Sequence, residues 1–101
     1  PEKTRTELAR ERRASREQAL RLDALKDAVL QAELAVQQSE LQHAQAVSLQ
    51  GDPAIYIDPE KAAAQAALVR ELQQKTERLY QRWDKAERRL EQFIAETQLE
   101  G

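Results

Sequence analysis

In the second half of the chain the apolar positions step alternately by three and four residues through Val69, Leu72, Thr76, Leu79, Trp83, Ala86, Leu90 and Phe93. This is a heptad seam on one face of a helix, and Ala62 and Gln65 on one side and Thr97 on the other prolong it to about five heptads. At about 1.5 Å per residue the helix is a rod of roughly 55 to 60 Å, far longer than a globular core requires. The first half carries a matching line: Leu22, Leu25, Val29, Ala32, Val36, Ser39, His43 and Ala46. A second row, Leu30, Leu34, Leu41 and Ala44, lies roughly 130° away on the helical wheel. Two explanations stand open for it: a register shift within a hairpin, or a second seam for a partner. Upstream of Leu20 only Leu8, Ala9, Ala14 and Ala19 are apolar, so the first turns are expected to fray or to depend on a larger parent protein.

Neither Pro nor Gly interrupts Thr4 to Gln50 or Glu60 to Glu100, and between these windows lies Gly51-Asp52-Pro53-Ala54-Ile55-Tyr56-Ile57-Asp58-Pro59. Gly51 can end the first helix and Pro53 cannot continue it. Asp58 then reads as the N-cap of the second helix, with Pro59 at its first position and Glu60 in its first turn. A break this short turns the second helix back along the first. The expected fold is all-α, a two-helix antiparallel coiled-coil hairpin forming one domain over residues 1–101: helix 1 about 4–50, loop 51–58, helix 2 about 59–99. If paired residue numbers sum to about 109, Trp83 faces the Lys26 region, between Leu22, Leu25 and Val29. Tyr56, between Ile55 and Ile57, is expected to plug the tip against the helix ends.

Composition narrows the chemistry. Of 101 residues 41% are hydrophobic, 34% charged and 4% aromatic, with three Pro, two Gly, one His and no Cys. Disulfides, thiolate metal sites and imidazole clusters are therefore excluded, and no cofactor is implied. His43 reads as a polar seam residue, because no nucleophile or second histidine accompanies it. Asp52 and Asp58 each precede a proline and read as turn and capping residues rather than a cation site. No acid, base, nucleophile or metal set converges, so no enzyme is expected. No apolar run approaches the roughly 20 residues that span a bilayer. The chain reads as soluble and cytoplasmic, and its start at Pro1 reads as the start of an excised piece.

The net charge of −2 gives the whole molecule no strong pull on nucleic acid or membranes, so any attraction is local. Residues 1–21 hold Lys3, Arg5, Arg10, Arg12, Arg13, Arg16 and Arg21 against four glutamates; residues 70–89 hold Arg70, Lys75, Arg78, Arg82, Lys85, Arg88 and Arg89 against Glu71, Glu77, Asp84 and Glu87. An antiparallel hairpin is expected to bring these segments together at its open end, opposite an acidic tip with Glu33, Glu40, Asp52, Asp58 and Glu60. Such residues often form only the solvated flanks of a coiled coil. The functional alternative is phosphate contact by Arg12, Arg13, Arg16, Arg82, Arg88 and Arg89, with ribosomal RNA or DNA as partner. Leu30, Leu34 and Leu41 are the candidate face for a helical protein partner or self-association.

The segment Gly51 to Pro59, followed by a long helix containing Leu79-Tyr80-Gln81-Arg82-Trp83-Asp84-Lys85-Ala86-Glu87, resembles the C-terminal coiled-coil hairpin of ABC-F ATPases, where a DP-x-x-Y-type loop precedes an R-W-E-x-L-E-like segment. The resemblance covers about half the chain. It implies a cytoplasmic parent with two ATP-binding cassettes, associated with ribosomes and translation, of which this hairpin is an accessory arm; in the Uup-like branch such an arm is associated with nucleic-acid binding. Asp84 and Lys85-Ala86 stand where the family has a more acidic and apolar stretch. No G-x-x-x-x-G-K-[ST] loop is present, so ATP hydrolysis is not assigned to this chain.

Overall fold

A computed structural model describes residues 2–98; residue 99, where the second helix was expected to end, lies outside them. The chain forms α1 (Arg5–Leu49), a single helical turn α2 (Pro53–Tyr56) and α3 (Pro59–Thr97). The fold is all-α, and α1 and α3 pack along each other in a body of 83 × 18 × 17 Å.

The helix starts are written in side chains. Thr4 caps α1 by accepting from the Glu7 backbone N–H at 3.2 Å, the first half of a Thr-x-x-Glu capping box. Asp52 accepts from Ala54 N–H at 2.9 Å to start α2, and Asp58 accepts from Glu60 and Lys61 to start α3, each followed by proline at the first helical position. Both aspartates thus serve as caps. Gly51 plays a smaller part than expected. It has no positive φ, and α1 closes through three-residue steps (Gln50 N–H to Val47 C=O, Gly51 to Ser48, Asp52 to Leu49), so the stop comes from Asp52-Pro53. At the far end Gln98 terminates α3 in the left-handed region, φ 57°.

Cross-helix contacts set direction and register. Ser39 Oγ lies 2.7 Å from Thr76 Oγ1, and Gln65 Nε2 donates to the Ala46 carbonyl at 2.8 Å, so numbers rise along α1 as they fall along α3. The Thr76 hydroxyl spends its proton on the Leu72 carbonyl at 2.7 Å, so Ser39 must be the donor between the two hydroxyls. Ala46 has one of the last four carbonyls of α1, and Gln65 supplies it with a donor from the neighbouring helix. Every seam residue on both helices is buried or half-buried, from Leu22 to Ala46 and from Ala62 to Thr97. Leu30, Leu34 and Leu41 are 51%, 47% and 59% exposed, which removes the register-shift explanation: the hairpin uses one seam and leaves the other uncovered.

Stepping by heptads from Ser39–Thr76 pairs numbers summing to 115. This corrects the expected pairing. Trp83 stands level with Ala32 rather than Lys26, and Leu25 with Leu90. The expectation assumed flush helix ends. Instead α3 starts about six residues, or about 9 Å, beyond the end of α1, and α2 fills that step against the first turns of α3. Small Ala32 gives the indole room; its Nε1 is buried without an acceptor, and its ring centroid lies 6.0 Å from that of Tyr80. At the tip Ile55 is the half-buried residue, while Tyr56 and Ile57 are exposed, so the plug is Ile55 rather than Tyr56.

Candidate nucleic-acid interface

The same register leaves α1 longer than its partner. Thr97, the last residue of α3, stands level with Gln18, and residues 2–21 are exposed throughout. The seam positions upstream of Leu22 read Gln18, Ser15, Glu11 and Leu8, so the line that holds α3 turns polar where α3 ends. About 13 residues of α1, roughly 20 Å, project as a single helix.

This projection carries Arg12, Arg13 and Arg16, all exposed. Arg5, which the charge pattern had not singled out, joins them: Arg5, Arg12 and Arg16 are spaced by seven and four residues and fall within about 40° of one another at about 100° per residue. Glu7 and Glu11 lie on the opposite side, where Glu11 pairs with Lys3. Within the projection the arginine stripe is thus separated from Glu7 and Glu11, a signal present in the spacing.

Arg82, Arg88 and Arg89 are exposed but elsewhere. The expected convergence at the open end does not occur. In this register Arg82 stands level with Glu33 and Arg88 with Asp27, about 22 Å along the axis from Arg12. The basic stretch of α3 faces the acidic stretch of α1 that holds Asp23, Asp27, Glu33 and Glu40. Arg88 pairs with Asp84 of its own helix at 3.0 Å, and no ion pair bridges α1 and α3 among the described residues. Polar links do cross: Lys75 Nζ reaches Gln42 Oε1 at 3.5 Å, and Glu40, by accepting from the Tyr80 hydroxyl, raises the phenol pKa above 10.0, with partial desolvation and the carboxylate charge adding to the shift.

Leu30, Leu34 and Leu41 prolong the arginine stripe on the same face of α1: Arg5, Arg12, Arg16, Asp23, Leu30, Leu34, Leu41 and Ser48 follow one another in steps of seven and four. One side of a single helix is therefore basic, then acidic, then apolar. A cavity of about 150 Å³ at the tip is lined by Gln50, Ile55, Tyr56, Ala62 and Gln65 and holds no titratable group other than the exposed Tyr56 phenol. No cluster of three or more potential metal ligands occurs among the described residues, and none of their helices is long and apolar enough to cross a membrane. The chain matches no protein-family model, no curated protein and no solved structure.

Proposed function

We propose that the chain is a non-catalytic coiled-coil arm that contacts nucleic acid through its projecting basic helix, as the accessory hairpin of a cytoplasmic ABC-F-type, translation-associated ATPase. The observation that carries this reading is the Arg5, Arg12 and Arg16 stripe on a stretch of helix against which none of the described residues of α3 packs. An isolated helix is narrow enough to lie along a groove or a phosphate backbone, and arginine forks suit phosphate oxygens. The absence of cross-helix ion pairs to Arg82 and Arg89 leaves these as flanking contacts to the same polyanion. The loop and the Tyr80 to Trp83 segment support the family assignment only as the resemblance stated above.

The test is a salt titration of binding to a single-stranded RNA and to a DNA duplex. If three arginines release counterions, log K falls with log salt at a slope of about −2 for the single strand. Arg5→Glu with Arg12→Glu and Arg16→Glu should abolish binding while the helical circular dichroism remains, whereas Arg82→Glu with Arg89→Glu should only weaken it. Salt-independent binding, or full affinity in the triple variant, would refute the proposal. The uncovered leucine row favours a second reading, a protein-interaction coiled coil.

A further inference from the structure

We infer that the exposed face of α1 is the interface of an antiparallel homodimer, with a second copy of this chain laid along Leu30, Leu34 and Leu41 and its basic projection reaching the acidic tip. The inference rests on the protein-interaction reading and gives its partner. The charge order along that face selects the occupant. A parallel, in-register pair would set Arg5, Arg12 and Arg16 against themselves and Asp23 against itself, stacking like charges over the length of the contact. An antiparallel pair about a two-fold axis between residues 35 and 36 removes that conflict. Leu30 of each copy then meets Leu41 of the other, and the two Leu34 side chains flank the axis. Asp23 falls level with Ser48, and Asp27 with Ala44, so no acid opposes an acid.

The ends of the contact agree with its centre. In the same register Arg16, which lies on the leucine face, falls level with residue 55 at the tip of the other copy, where Asp52, Asp58 and Glu60 lie. Leu20, 69% exposed, falls level with Gly51 of the other copy, where the tip that carries the exposed Tyr56 and Ile57 begins. The two most exposed large apolar residues among the described residues, Leu20 and Ile57, thus lie at the same end of the contact. Arg5 and Arg10 reach past the tip, so the dimer is a rod with a basic helix at each end.

Sedimentation equilibrium over a concentration series of the 101-residue chain should show a species of twice 11.6 kDa. Leu34→Glu, at an exposed position that the hairpin does not use, should raise the dissociation constant at least about a hundredfold, since the axis applies the change twice, and leave the helical signal intact. Because the chain has no cysteine, orientation can be read directly. Under oxidising conditions an equimolar mixture of Asp23→Cys and Ser48→Cys chains should give the mixed disulfide, with neither variant cross-linking alone. A monomer at every concentration would overturn self-association, and disulfides within each single variant would overturn the antiparallel orientation. Neither result bears on nucleic-acid binding, which is measured separately.

Discussion

Ser39 and Thr76 place two hydroxyls at the middle of a seam where leucine or valine would pack, and Ser39 is buried almost completely. Their value lies in register. Slipping the helices by one heptad would bury Ser39 against an apolar residue and leave its hydroxyl without its partner, at a cost of about 1 to 3 kcal/mol. A double-mutant cycle followed by urea unfolding should therefore show coupling. Thr76→Val alone should cost about 1 to 3 kcal/mol, and adding Ser39→Ala should recover much of that loss, giving an interaction energy of about 1 kcal/mol. Strict additivity would mean that the hydroxyls contribute separately. Both residues are legible as polar seam positions in the sequence, but their meeting is not, because it depends on the step made by α2. The aspartate caps are legible outright: Asp-Pro at each helix start spells N-cap and first helical position without tertiary information.

At the scale of the element, the seams could be read residue by residue, since alternating three and four spacing demands one helical face whatever it packs against. What could not be read was how far each helix outruns the other, which follows from the tip geometry. The projecting turns of α1, expected from sequence to fray or to depend on a larger parent protein, are helical from Arg5 and capped by Thr4. Their stability is local, resting on the cap and on propensity rather than on packing, and it is correspondingly small. At dilutions that favour the monomer, limited trypsin digestion should remove the projection first and stall at a fragment beginning near Leu22. Initial cutting at Arg82 to Arg89 of α3, equally exposed as side chains but on a packed helix, would show that α3 opens before the projection does.

The whole molecule is a rod whose two strands are joined at one end, and the tip fixes more than the chain reversal. Contacts beside it close short loops: Gln65 and Ala46 are 19 residues apart, Ser39 and Thr76 37, and the separation grows toward the open end. Since loop-closure entropy rises with separation, nucleation is cheapest next to the tip, and each heptad zipped there shortens the effective loop for the next. Weakening the start of α3 by Asp58→Ala, worth about 1 kcal/mol, should slow refolding about fivefold with little change in unfolding. Leu90→Ala, near the open end, should act chiefly by speeding unfolding, and the reverse pattern in stopped-flow chevrons would exclude zipping from the tip. The capped turn that begins assembly would also be the last to be lost, so denaturant should peel the rod from its basic end inward.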